Sequence, residues 1–258
     1  LMLLSLSHES VKAEQYDDAY ENWSKLYQSR PDFNKTIFTD GNKILEYKWN
    51  HAQTPEEKNQ WREMIMKLHD ERIKFFDDPK YPDAYVLGLK GLDYLTYYPE
   101  DELGLKAYEC LKQSVDGMGE NAQITVLRKL VEVSYNIYKS NVDQYGDQFL
   151  ADYQKAAALL DAIVLAAVSK EPEGIYGYKI TQEARGVLEL SESTLYPVLR
   201  RLQKDDCLAV YDQECAGRNR RYYKVTERGM AQLQLYRTEW ISYSTKITSV
   251  FEGGITHE

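Results

Sequence analysis

Between residues 191 and 228 the chain sets out hydroxyl, phenol and guanidinium groups at a spacing suited to gripping a polyanion. In SESTLYPVLRRLQKDD, the apolar Leu195, Val198, Leu199 and Leu202 recur at helical spacing behind a serine cap. Ser191, Ser193, Thr194, Tyr196, Arg200, Arg201 and Lys204 fall on the remaining faces. Hydroxyls at a helix start donate to phosphates or base edges, and the cations that follow reach phosphates. The run RNRRYYKVTER, residues 218–228, then holds five basic side chains against one acidic, and contributes Arg218, Arg220, Arg221, Tyr223 and Lys224. This chemistry is recognition of double-stranded DNA by hydrogen bonds and charge.

The elements that must position these groups are a helix over 191–205 and a β-ribbon. Leu208 to Tyr211 and Arg221 to Thr226 are β-biased, and the polar, glycine-containing segment between them carries Arg218 and Arg220 as a turn. Helix, ribbon and basic tip predict a winged helix-turn-helix.

The rest of the composition narrows the function. The net charge is −9, so a nucleic-acid surface has to be local. Residues 1–160 hold 19 basic and 27 acidic side chains, and residues 161–258 hold 13 and 14. Cys110, Cys207 and Cys215 form no CxxC pair, and His8, His51, His69 and His257 share no ligand spacing with them, so no metal and no cofactor is assigned. No apolar run reaches the ~18 residues of a membrane span. Asp77-Asp78, Glu100 to Glu102 and Asp205-Asp206 read as solvated loop or helix-end charges. No nucleophile has a base and an orienting partner, and no catalytic residue is assigned.

The first ~165 residues read as helices near 2–13, 15–28, 38–51, 55–75, 83–97, 103–116, 123–140 and 147–168, with breaks at Pro31, Pro79, Pro99, Gly117 to Gly119 and Gly146. Thr54-Pro55-Glu56-Glu57 is a helix start with a capping hydroxyl, an early proline and carboxylates near the positive end of the dipole. Tyr16, Ala19, Trp23 and Pro31, and again Ala107, Leu111 and Val115, follow a small-to-bulky spacing. With the segment YPDAYVLGLKGLDYLTYYPED, residues 1–162 resemble divergent tetratricopeptide repeats of exported helical-repeat proteins. Their tyrosine-rich surface offers either inter-helix packing or a groove for a peptide. From Asp147 to Glu171 there is no proline or glycine, which predicts one shared helix over about 147–171.

From Leu160 onward the motifs LDAIVLAAV, YGYKITQEA, LSESTLYPVLRRLQKDDCLAVY and GRNRRYYKVTERG resemble the PadR family of winged-helix transcriptional regulators. The resemblance implies a homodimer through a C-terminal helix over 227–251, a third helix in a major groove, and a wing tip at the backbone or minor groove. It also implies that Trp240, with Tyr236, Tyr243 and Ile247, lies at the dimer interface, where those side chains either hold a flat aromatic small molecule or simply pack.

The expected architecture is mainly α: a tetratricopeptide-like array (1–162) joined through the shared helix to a PadR-like DNA-binding and dimerisation domain (160–258). A cytoplasmic regulator joined inside a helix to a repeat of exported type, with no signal peptide, suggests an engineered helical fusion. The two functional expectations are a dimeric, ligand-responsive repressor that is not an enzyme, and a scaffold whose PadR-like part supplies a two-fold interface.

Overall fold

The computed structural model describes residues 2–185, 192–215 and 217–238; side chains of 120, 182–185 and 192–194 are not included in that description. Eight helices come first: α1 (Met2–Lys12), α2 (Tyr16–Ser29), α3 (Thr36–His51), α4 (Pro55–Phe75), α5 (Asp83–Tyr97), α6 (Leu105–Met118), α7 (Ile124–Ser140) and α8 (Val142–Ser169). Then follow β1 (Ile175–Tyr176), α9 (Gly177–Arg185), α10 (Glu192–Lys204), β2 (Leu208–Cys215) and β3 (Arg218–Val225), and residues 227–238 are helical. Two compact units divide the chain, Leu1–Ser114 and Val115–Glu258.

In the first unit, neighbouring helices pack in succession, α1 on α2 through α4 on α5. The small-to-bulky spacing has its physical reason here, because Ala19 is fully buried and Trp23 nearly so. The Trp23 indole stacks on Tyr27 at 4.7 Å and donates to the Ile37 carbonyl at 2.8 Å, so its one polar atom is satisfied inside the core. Thr54 caps α4 by accepting from Glu57 N at 3.2 Å, while Glu57 reaches back to Gln53 N at 2.7 Å.

In the second unit, α7 lies along α8, and Ser134 donates to the buried Asp152 at 2.7 Å. Gly146, expected as a break, lies inside α8. Asn141 caps the helix upstream by accepting from Gln144 N at 3.2 Å, and one helical glycine costs only ~1 kcal/mol. The C-terminal half of α8 carries Ala162, Val164, Leu165 and Val168 into a core shared with Leu195, Val198, Leu199 and Leu202 of α10. The sheet is antiparallel in the order β1-β3-β2, with Val210 opposite Tyr223 and Ile175 on Tyr223's other side.

The ribbon differs from its expected form. Both strands are longer, and Arg218 and Arg220 sit in β3 rather than in a turn. The strands stay paired as far as Cys215 opposite Arg218, and Gly217, just before β3, takes a φ of +72° that other residues resist. β1 has no counterpart among the expected elements, because two residues are too few to show alternation.

At the other end of the ribbon, α10 terminates in a left-handed turn. Asp206 has a φ of 55°, Asp206 N donates to Gln203 O at 3.1 Å, and Cys207 N donates to Leu202 O at 2.8 Å, with Leu202 and Cys207 both buried. Thr226 then caps the helix at 227–238. Its hydroxyl accepts from Gly229 N at 3.0 Å and donates to Asp206 O at 2.6 Å. Gly229 packs so closely that a Cβ there would lie 2.1 Å from the Cys207 carbonyl oxygen. Gly229→Ala is therefore expected to lower the unfolding free energy by about 1–3 kcal/mol, read from the urea midpoint at unchanged slope.

Candidate nucleic-acid interface

A groove of about 740 Å³ opens between α10, the start of α9 and β3. It brings together six of the residues expected to meet DNA: Tyr196, Arg200, Arg218, Arg220, Arg221 and Tyr223. Tyr176, Tyr178, Gln203 and Asn219 also line it, and among the described residues its lining includes no carboxylate. Tyr196, Arg200 and Gln203 share a face of α10 at i, i+4, i+7 spacing.

The groove's shape is set by rings. Tyr211 stacks on Tyr222 at 5.4 Å, Tyr222 meets Tyr176 edge-on at 5.5 Å, and the Arg220 guanidinium lies 4.4 Å from the Tyr176 ring centre. The Tyr211 hydroxyl donates to the Glu173 carbonyl, which ties the ribbon to the segment before β1. Arg220 is thus oriented by an aromatic face before any ligand arrives. Arg221 makes a 3.5 Å contact with Asp212, both largely exposed, a pair worth a few tenths of a kcal/mol and easily exchanged for a phosphate.

The other expected residues are placed differently. The Arg201 guanidinium turns to α8, with Nη2 2.5 Å and Nε 3.2 Å from Asp161 Oδ1, and Nη2 3.4 Å from the Ala157 carbonyl. Burial pushes the Asp161 carboxyl above the ordinary carboxylate range even with the Arg201 cation beside it, whereas hydrogen bonding and charge from Asp161 raise Arg201 against the effect of its own burial. Tyr223 is 6% exposed, and burial raises its phenol, so it is a core residue that shows one edge to the groove. Lys204 and Lys224 are exposed and do not line the groove. Tyr236 is half-buried against the core, which raises its phenol. Ser191, the side chains of Ser193 and Thr194, and Trp240, Tyr243 and Ile247 lie outside the described residues.

Gln203 was within reach of helical spacing from Tyr196 and Arg200. Tyr176 and Tyr178 flank Gly177 on a different element, and only the folded arrangement brings them to α10.

A helix seated on a hydrophobic core, followed by an antiparallel ribbon whose inner edge is basic, defines the class as a winged helix-turn-helix. Residues 164–235 match the transcriptional regulator PadR-like family. An uncharacterized protein of Lysinibacillus sphaericus is 33% identical over 99 residues, which is 36% of this chain and 89% of that protein. A transcriptional regulator of Mycobacterium tuberculosis is 35% identical over 85 residues, 33% of this chain and 76% of the relative. A solved PadR-like transcription factor from Bacteroides fragilis is 28% identical, covers 39% of this chain and 97% of its own, and superposes with a TM-score of 0.36. Through its C-terminal region this chain belongs to the PadR-like family of transcriptional regulators.

Adjacent arginines on α10 should separate cleanly. Arg201→Ala leaves the Asp161 carboxyl without its partner and is expected to cost about 2 kcal/mol, while Arg200→Ala should change stability by no more than about 0.5 kcal/mol, both measured by chemical denaturation.

Proposed function

We propose that the chain is a sequence-specific DNA-binding regulator of transcription that works as a homodimer. Members of the family are transcription regulators rather than enzymes; they bind DNA and are typically dimeric. The observation that carries the reading for this chain is the groove: four arginines and exposed tyrosines converge on it, and its described lining holds no carboxylate. In this reading α10 enters a major groove with Tyr196, Arg200 and Gln203 toward the bases, Ser191, Ser193 and Thr194 toward phosphates, and Arg218 and Arg221 along the backbone. Lys204 and Lys224 add peripheral phosphate contacts. Arg201 leaves the DNA-contacting set and becomes the residue that fixes the helix.

The dimer would form through the C-terminal helix, with Tyr236, Trp240, Tyr243 and Ile247 at the interface. A flat aromatic effector held there would alter the spacing of the two recognition helices. The N-terminal helices would form a tetratricopeptide-like array. The cytoplasm is the compartment in which such a regulator meets DNA.

One observation favours a second reading. α8 is a single helix of 28 residues whose two halves pack on α7 and on the winged-helix core, and such a helix couples what it joins as a rigid beam. A helical fusion, natural or engineered, whose PadR-like part contributes a two-fold interface would use it as a scaffold member.

Binding to palindromic duplexes, with half-sites about one helical turn apart and salt as the titrant, separates the two. The regulator reading expects specific binding that weakens steeply with salt. Arg200→Ala with Arg221→Ala should lower affinity and reduce the log-log salt slope by about 0.9 for each phosphate that the variant no longer neutralises. A dimer that persists in light scattering without specific binding selects the scaffold. Unchanged binding by the double variant would refute the groove as the DNA surface.

A further inference from the structure

Tyr196 is the fifth residue of α10, in the half of a recognition helix that meets base edges, and it is 38% exposed where it lines the groove. Its phenol carries no charge and neutralises no phosphate. What it offers a base pair is a hydroxyl that donates and accepts, and an apolar ring edge for a thymine methyl. Contacts of that kind discriminate only when the ring stays in one place, and a partly exposed tyrosine otherwise exchanges among staggered rotamers. In this fold the ring is held from the side. Gly177, the first residue of α9, is buried against it: a Cβ there would lie 3.1 Å from Tyr196 Oη and 3.3 Å from its Cε1 and Cζ. The phenol thus rests on the main chain of the neighbouring helix, closer than a side chain at 177 would allow.

The backbone at 177 does not itself call for glycine. The described glycines with positive φ are Gly104, Gly119, Gly174 and Gly217, so Gly177 has a conformation open to any residue, and at a helical position alanine is preferred. Room for Tyr196 is the physical reason that remains on the protein side. We infer that Gly177 is a positioning residue for sequence discrimination: its missing side chain seats Tyr196 against the start of α9 and so fixes where the phenol meets a base pair. This role rests on α10 being the helix that reads DNA.

Selection from randomised duplexes by the full chain yields its preferred sequence, and affinities for the single-base variants of that sequence give the discrimination at each position. Tyr196→Ala marks the base pair that the phenol meets. Gly177→Val should lower discrimination at that same base pair by about tenfold, the ordinary worth of one base pair, and Gly177→Ala should do so to a smaller degree. The log-log salt slope should stay as it was, because no phosphate contact is removed. Added to Tyr196→Ala, neither substitution should have a further effect. Without DNA, the fluorine resonance of 3-fluorotyrosine placed at 196 should move in Gly177→Ala, which decides the matter should the valine variant not fold. A resonance that stays in place, or a loss of affinity uniform across sequences that persists beside Tyr196→Ala, overturns the assignment; the second result would mean that the glycine makes room for a phosphate instead. A wild-type chain without sequence preference refutes α10 as the reading helix and this role with it, whereas a wild-type preference that Gly177→Val leaves intact refutes this role alone.

Discussion

The rotational setting of α10 on α8 is the constraint on which the site depends, and the Asp161–Arg201 ion pair is its polar pin. Leu195, Leu199 and Leu202 bury one stripe of the helix, and apolar contact alone tolerates sliding and small rotation. A guanidinium that must meet a carboxylate at two nitrogens and a carbonyl at one does not. Successive side chains on a helix are about 100° apart, so holding Arg201 inward turns Arg200 outward. Two chemically identical neighbours thus acquire opposite duties.

The ribbon is held by a different physics. Tyr211, Tyr222 and Tyr176 form a run of rings that ends beneath Arg220, and the Tyr211 hydroxyl anchors the run to backbone. Rings lose few rotamers when they order, so a surface built from them is already arranged before it meets a partner. The cost is exposed apolar area in tyrosines such as Tyr178 and Tyr196, which polar hydroxyls make tolerable in water.

Much of this was legible from residue order. The helix-forming segments, the capped start at Thr54, and the helix-then-ribbon sequence all follow from periodicity and local hydrogen bonding, which act within a few residues. What was not legible depends on contacts made far along the chain. Nothing local distinguishes Arg200 from Arg201; the difference is Asp161, forty residues upstream. Gly146 carries the ordinary signature of a break and is overruled by the packing of α8 on α7. Tyr176 joins the groove through a two-residue strand that exists only because β3 is there to pair with it. Arg218 and Arg220 have the composition of turn residues because their polarity hides the alternation of an edge facing water.

Thr226 joins three elements through one oxygen. It receives the amide of Gly229 and gives its proton to the carbonyl of Asp206, where α10 ends and the ribbon begins. The close approach of Gly229 to Cys207 leaves no slack beside it. The start of the helix at 227–238, the end of α10 and the base of the ribbon are therefore tied at one point. Any shift of the helix at 227–238 has to be accommodated at the end of α10 and the start of β2 as well.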